Sequence, residues 1–481
     1  MRSADQDDQA DQPDEAEQDD QPDHVVCVDF GSTFTKAALV DLTDGRIVAS
    51  ASHRTTIDTD VLDGYDACLA SLVAQDARAA SADVLACSSA GGGLRIAVVG
   101  NEELVTAEAG RRVALSSGGK VVAVVAASGR APGDGHYAHV LAGARPDVVL
   151  LTGGTDGGNA EVLLTATRAL VAAGWRGPVV VAGNVEVRDE VSGVLCGVPH
   201  VLADNVVPRI GVLAPDSARR AIREVFLAHV IGGKHLSARA DFTAMVRGAT
   251  PDVVLTGVEL LARGLDDAHP GIGDVVVVDV GGATTDVHSV VEIDPDTGYT
   301  EGGLAREVVA ATPVTRTVEG DLGMRWSAGT TVAEAGLDDL TEAAAARQAD
   351  PGFVPATDVD RAADEAIARA AVGLALRRHA GRSRVVVSPE GRVVERTGQD
   401  LREVGLLVGS GGVFRHGRPG VAARVLAGST GPDFEDGWQL PREARLVVDS
   451  DYVLAAAGLL AERHPVAAYR LVRRLITDER E

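Results

Sequence analysis

The sequence predicts a multidomain α/β protein whose core is two related halves facing one shared ligand. Three observations carry this. An all-apolar run, Val275 to Val278, leads into the turn sequence Asp279-Val-Gly-Gly-Ala-Thr-Thr-Asp286. A near twin stands at the N-terminal end, where Val25-Val-Cys-Val leads into Asp29-Phe-Gly-Ser-Thr-Phe-Thr-Lys36, 250 residues earlier. Such a doubling in one register marks a repeated structural unit. Around both turns, short apolar runs alternate with segments of helical period, the pattern of a mixed or parallel sheet covered by helices.

Length and composition bound what these turns belong to. At 481 residues the chain divides into two to four domains. Its formal net charge of -25 argues against a nucleic-acid footprint, although a local basic patch is compatible with a global excess of acid. Cys27, Cys68, Cys87 and Cys196 stand singly, without the spacing of a zinc site or a disulfide framework, and read as buried thiols in a reducing compartment. No apolar run has the length of a membrane span and no secretory signal opens the chain, so a cytoplasmic protein without membrane or nucleic-acid partners is expected.

Taken in order, residues 1–23 are almost wholly Asp, Gln, Glu, Ala and Pro, and are expected to form a disordered acidic tail. Residues 24–91 read as strand Val25 to Phe30, the Gly-Ser-Thr turn, strand Thr35 to Asp41, strand Arg46 to Ser50, a helix from Val61 to Ala80 and strand Val84 to Ser88. The middle region, 92–271, is expected to combine an α/β insertion with the remainder of the first half. Its strands are Gly119 to Ala127, Val148 to Thr152 and Pro178 to Gly183, and a long helix runs from Asp216 to about His235. Pro146-Asp-Val-Val-Leu-Leu-Thr-Gly153 and Pro251-Asp-Val-Val-Leu-Thr-Gly257 both read as Val-rich strand entries.

The C-terminal half, 272–481, repeats the opening: the strand ending at Asp279, a second strand Thr285 to Glu292, a Pro295-Asp-Thr-Gly298 turn and a third strand near Arg306 to Thr312. Helices are expected at Gly329 to Ala335, Val359 to His379, Gln399 to Glu403, after Gly412, and from Tyr452 to about Arg463. Strands are expected at Arg384 to Val387, Gly405 to Val408 and Ala444 to Asp449.

A Gly directly after Asp-apolar allows a sharp turn, and small residues beyond it let main-chain N–H groups approach a phosphate. Asp29 and Asp279, at the ends of their strands, suit Mg²⁺ held through its retained waters. Two such hairpins would grip one polyphosphate from opposite sides, whereas either alone reads as an ordinary tight hairpin. Competing nucleotide signatures are poor: Gly232-Gly-Lys234 is followed by His235, not Ser or Thr, and Gly133-Asp-Gly-His-Tyr-Ala138 reads as a turn. Gly153-Gly-Thr-Asp-Gly-Gly158 at a strand exit suits either a cleft lining or a plain connection.

The paired turns resemble the phosphate-1 and phosphate-2 motifs of the actin, Hsp70 and sugar-kinase ATPase superfamily. Leu406-Leu-Val-Gly-Ser-Gly-Gly412 is similar to its adenosine motif. The fold this implies is two actin/Hsp70-like (RNase H-like) half-domains flanking a nucleotide cleft, with an additional α/β insertion. More narrowly, five segments resemble the MutL-type accessory proteins of glutamate mutase, which share only a label with the DNA mismatch-repair factor. These are Asp279 to Ser289, Val318-Glu-Gly-Asp-Leu-Gly-Met324, Arg392 to Asp400, Thr152-Gly-Gly-Thr-Asp-Gly-Gly-Asn159 and Ala203-Asp-Asn-Val-Val-Pro208.

The resemblance implies a slow ATPase acting as a reactivating chaperone for an adenosylcobalamin-dependent mutase, with ATP and Mg²⁺ as cofactors and no cobalamin or iron–sulfur cluster of its own. Carried over, Asp29 and Asp279 become the magnesium-side carboxylates. Gly31, Ser32, Thr33, Gly281, Gly282, Ala283 and Thr284 surround the phosphates, and Gly409, Ser410, Gly411 and Gly412 contact adenosine. Lys36 and Asp286 hold matching places, each either facing the nucleotide or standing as a strand charge. Glu319 or Asp321 falls where the superfamily's connecting motif positions water, and Asp321 suits a helix cap equally well. Asp449 resembles the second connecting motif, again with capping as the competing role, and His288 reads as structural. The turn Gly31 to Lys36 also resembles the ATP-dependent activators of 2-hydroxyacyl-CoA dehydratases, which need a cysteine-bound cluster. A nucleotide-dependent scaffold without turnover is the remaining alternative.

Overall fold

The computed structural model describes residues 23–100, 106–126, 135–292, 312–388, 391–432 and 435–477. The expected tail up to residue 22, the Pro295–Gly298 turn, residues 306–311 of the expected third strand, and Gly133 with Asp134 lie outside the described residues. Strands run in chain order as β1 (His24–Phe30), β2 (Phe34–Asp41), β3 (Arg46–Arg54), β4 (Asp83–Ser88), β5 (Leu94–Gly100), β6 (Gly119–Ala126), β7 (Val148–Leu151), β8 (Val179–Val181), β9 (His200–Leu202) and β10 (Val246–Ala249). The second half follows with the small hairpin β11 (Gly264–Asp266) and β12 (His269–Pro270), then β13 (Val275–Val280), β14 (Thr285–Val290) and β15 (Val314–Glu319). The hairpin β16 (Arg382–Ser388) and β17 (Gly391–Thr397), then β18 (Leu406–Ser410) and β19 (Arg445–Val448) complete the set.

Two five-stranded sheets share one topology. The first has the order β10-β4-β1-β2-β3 and the second β19-β18-β13-β14-β15. In each, the first three strands form an antiparallel meander and the last two lie parallel to the first. Each fifth strand leads toward a helix, Thr250–Arg263 after β10 and Val453–Leu460 after β19. Between β4 and β10 the chain inserts a third, all-parallel sheet of order β6-β5-β7-β8-β9.

Strand parity directs both motif aspartates toward the same place. Val26, Val28 and Phe30 of β1 pack into the first half, whereas Val25 and Cys27 face a core shared with Val275 and Val277 of β13. With a side-chain period of two, Asp29 continues the Val25–Cys27 face and Asp279 the Val275–Val277 face. That shared core is filled by the two helices, which cross at reciprocal glycines. A Cβ on Gly257 would stand 2.2 Å from the Leu454 carbonyl oxygen, and one on Gly458 would stand 1.9 Å from that of Val253. Only hydrogen fits at either position.

Several elements depart from the sequence reading. Thr250–Arg263 is a helix, not the strand entry expected at Pro251 to Gly257; Pro251 sits in the first turn, where its missing N–H costs nothing. Among the described residues the third strand of the second half is Val314–Glu319, which the sequence reading did not mark. Residues Gln399 to Glu403 form a bridge and a turn instead of a helix. The helix expected from Val61 to Ala80 ends at Gln75, and Asp76 then caps a separate 3₁₀ turn through its side chain. The helix beginning at Asp216 passes through a π-helical stretch at Phe226–Val230. A further helix, Pro465–Thr477, follows the one expected to close the chain.

Candidate functional site

The two hairpins have the same construction. In the first, Asp29 lies opposite Lys36 in the ladder and the Gly31 N–H donates to the Phe34 carbonyl at 3.2 Å. In the second, Asp279 lies opposite Asp286 and the Gly281 N–H donates to the Thr284 carbonyl at 2.9 Å. A Cβ on Gly31 would meet the Phe34 oxygen at 2.6 Å and one on Gly281 the Thr284 oxygen at 2.8 Å, so both turns need glycine for the same steric reason. The tips face each other: a Cβ on Gly282 would stand in ordinary contact with Thr33 Oγ1, at 3.7 Å, and with the Arg325 side chain, at 3.6 Å.

Each tip is braced from behind, as a preorganised main-chain site requires. Thr55 donates its N–H to the Thr33 carbonyl at 2.9 Å and its hydroxyl to that of Gly31 at 2.8 Å. In the second hairpin, Met324 and Arg325 donate N–H groups to the carbonyls of Gly281 and Gly282, and Ser327 Oγ donates to that of Ala283 at 2.7 Å. The stretch Val318 to Met324 thus brings its chain under the second turn. The glycine run after β18 closes the same corner. Ser410 pairs with Asp279 in the parallel ladder, Gly411 adopts φ of 108°, and a Cβ there would meet the Val280 oxygen at 2.3 Å. Gly409 packs under the Phe414 ring, and Gly412 opens the short helix Gly412–Arg415.

The charged groups converge between the halves. Lys36 Nζ lies 3.5 Å from Asp29 Oδ2, and the other Asp29 oxygen accepts from Thr250 Oγ1 at 2.7 Å. Burial works to lower the Lys36 pKa, but Asp29, Tyr452 and Asp279 outweigh it and hold the ammonium charged. Burial pushes Asp279 up to about 6, helped by Asp286 and Asp29 and opposed by Lys36 and Arg316. Asp449, buried beside this group, is also raised to about 6 by burial, with Asp279 and Asp451 adding to the shift and backbone N–H bonds opposing it. Its carboxylate caps the helix Val453–Leu460 through the N–H groups of Val453 and Leu454. Asp286 gives one oxygen to Arg316 at 3.3 Å, while its Oδ1 is buried with no hydrogen-bond partner. Arg316 in turn donates to the Leu115 and Gly119 carbonyls of the insertion.

Glu319 and Asp321 sit at the end of β15, where Glu319 pairs with Thr285 beside the second turn. Arg378, from the helix Asp358–His379, binds Glu319, Asp321 and Glu334 at 2.6 to 2.8 Å. Burial raises the Glu319 pKa against the pull of Arg378, whereas the Arg378 hydrogen bond lowers that of Asp321. The Asp321 carboxylate is therefore held by an arginine and not spent as a helix cap. His288 is buried and held neutral, chiefly by burial, with Arg316 and His379 acting in the same direction.

Thr250, Arg316, Arg378, Arg415 and Tyr452 also serve this corner, and none stands in a glycine-containing turn that would have pointed to it. Tyr452 departs most from ordinary local conformation. It adopts φ of 56°, with Lys36 Nζ 3.8 Å and the Arg415 guanidinium carbon 4.8 Å from its ring centroid. Among the described residues no group of three or more His, Cys, Asp or Glu side chains is set to hold a metal ion directly, and no helix is long and apolar enough to cross a membrane.

Two halves of identical strand order, joined by crossing helices and meeting at paired aspartate-bearing hairpins, define the actin/Hsp70/sugar-kinase class of fold with an inserted α/β domain. Within that class the chain belongs to the MutL protein family, whose model matches residues 25–476. It is 36% identical over 472 residues to Protein MutL of Clostridium tetanomorphum, covering 94% of this chain and 99% of that relative. Solved structures are more distant. A nucleotide-free acetone carboxylase is 16% identical with a TM-score of 0.32, covering 73% of this chain and 61% of that one. The ethanolamine utilization protein EutJ of Carboxydothermus hydrogenoformans is 12% identical with a TM-score of 0.27, covering 93% and 90% respectively. The fold assignment rests on strand order, not on these likenesses.

Proposed function

We propose that this chain is an ATP-dependent reactivating chaperone for an adenosylcobalamin-dependent mutase, glutamate mutase or a related carbon-skeleton or amino mutase. The observation that carries the ATP-binding part is the convergence of the two hairpins, with Asp29 opposite Lys36 in one, Asp279 opposite Asp286 in the other, and Gly282 set against Thr33. Membership of the MutL family supports the mutase part.

The residues present suit Mg²⁺ and a polyphosphate. Mg²⁺ keeps several waters and takes one or two carboxylates together with phosphate oxygens, so it does not need a three-ligand cluster, of which there is none among the described residues. Asp279, pushed up to about 6 by burial and neighbouring carboxylates, and the unpartnered Asp286 Oδ1 both mark a place short of positive charge. In this reading Asp29 and Asp279 hold Mg²⁺ through water, and the main chain of Gly31 to Thr33 and Gly281 to Thr284 cradles the phosphates. Lys36 and Asp286 complete the phosphate corner, and Gly409 to Gly412 border adenosine. Glu319, whose raised pKa suits a proton acceptor, orients the attacking water, with Asp321 beside it. Bound MgATP supplies the phosphoanhydride whose cleavage would separate a tight from a loose client complex, releasing damaged cobalamin.

Purified protein is expected to hydrolyse ATP slowly, and Asp279→Ala to abolish this. Inactivated mutase given intact adenosylcobalamin should recover only with this protein and ATP together. Full recovery with the Asp279→Ala protein would sink the mechanism. Iron on anaerobically purified protein would favour a dehydratase-type activator, and nucleotide binding without turnover would favour a scaffold.

A further inference from the structure

Away from the hairpins, an open cleft lies beside the crossing of the two helices that join the halves. Its floor is apolar, formed by Leu85 of β4, Val253 and Leu459, all buried. Its walls carry three arginines from separate elements: Arg223 from the helix Asp216–Val225, Arg247 from β10 and Arg463 just beyond the helix Val453–Leu460. The one acidic residue on the lining is Glu462.

The chain as a whole is acidic, with 70 Asp and Glu against 45 Lys and Arg. Arg223 is held by Asp252 at 2.6 Å. Arg247 donates only to the carbonyls of Ala244 and Val246, and Arg463 is exposed; neither forms an ion pair among the described residues. A guanidinium is a preorganised fork for phosphate, and three of the four charged side chains on the lining are cationic, so the cleft favours anions. The two arginines that form no ion pair among the described residues suit the oxygens of a phosphate group.

We infer that this cleft is an anion site for a small phosphate-bearing molecule, bound by Arg247 and Arg463 with Arg223 as the fixed third cation. Arg247 belongs to the first half and Arg463 to the second, so the ligand spans both at the helix crossing. The site meets the pocket around Lys36 and Tyr452 at Leu459 alone, shares no charged group with it, and does not depend on the nucleotide reading.

Pyrophosphate is the test ligand, titrated calorimetrically into the full chain in metal-free buffer. The comparison is wild type against Arg463→Gln and Arg247→Gln, each checked for an unchanged thermal melt. Arg463 is exposed and its replacement leaves no buried partner orphaned, so this variant is expected to fold. Binding by wild type, weakened at least tenfold in either variant, supports the site. Equal affinity in wild type and both variants assigns the binding to the hairpins and overturns the proposal, as does no binding by wild type.

Discussion

Lys36 Nζ stands 3.8 Å from the ring centroid of Tyr452, joining the first hairpin of one half to the entry of the last-but-one helix of the other. Tyr452 holds this position in a left-handed backbone conformation that non-glycine residues seldom adopt. A desolvated cation–π pair contributes about 2 kcal/mol. Tyr452→Ala is therefore expected to lose roughly that amount in denaturant unfolding. Tyr452→Phe, which keeps the ring face, should retain most of it; equal losses in the two variants would remove the ring from the account.

The second prediction concerns pH. The folded protein holds the protons of Asp279 and Asp449 more tightly than the unfolded chain does, because both are raised to about 6. Their contribution to stability is full below about pH 4 and declines as pH rises through about 6. Asp279→Asn removes its share of that slope and should gain stability on wild type between pH 5 and pH 7, by about 3 kcal/mol at most. Unfolding free energies of the two proteins across that range, without metal, check the sign.

The helix crossing gives a steric prediction. Gly458→Ala drives a methyl group against the Val253 carbonyl, 1.9 Å from the ideal Cβ position, and backbone cannot move aside as a flexible side chain can. Overpacking of this kind costs about 1–3 kcal/mol. Gly412→Ala, with nothing within 4 Å of its Cβ, is the matched control for which only a small change is expected in a thermal melt.

Arg378 separates the roles of Glu319 and Asp321. Its removal as Arg378→Gln leaves Glu319, Asp321 and Glu334 without their shared cation, raising the carboxylate pKa values that it holds down. If Glu319 accepts the proton during ATP hydrolysis, the acid limb of the pH–rate profile moves to higher pH in this variant. Glu319→Gln should then lose hydrolysis while Asp321→Asn keeps it. The opposite pattern reassigns the role to Asp321.

Much of the fold was legible because its central strands are buried on both faces and read as unbroken apolar runs. Val25 to Val28 and Val275 to Val278 could hardly be anything else, and the glycines behind them mark the turns. Val314–Glu319, the third described strand of the second half, was not legible because it alternates threonine, arginine and valine and carries no such run. The aspartates of the site were legible for the same reason as the strands, since each directly follows its run. Their partners were not: Thr250, Arg316, Arg378 and Tyr452 reach Asp29, Asp286, Asp321 and Lys36 from 30 to 416 positions away.

Pro146-Asp-Val-Val-Leu and Pro251-Asp-Val-Val-Leu carry the same five residues, yet the first enters strand β7 and the second the helix Thr250–Arg263. Local sequence determined what depends on local sterics and on strand period: the two glycine turns, the runs before them and the face on which each aspartate lies. Tertiary structure alone decided whether Val253 to Leu255 would extend or coil, which arginine would neutralise which carboxylate, and that two turns 250 residues apart would face each other. Those outcomes depend on burial against distant elements, and burial free energy outweighs the fraction of a kilocalorie per residue by which intrinsic propensities differ.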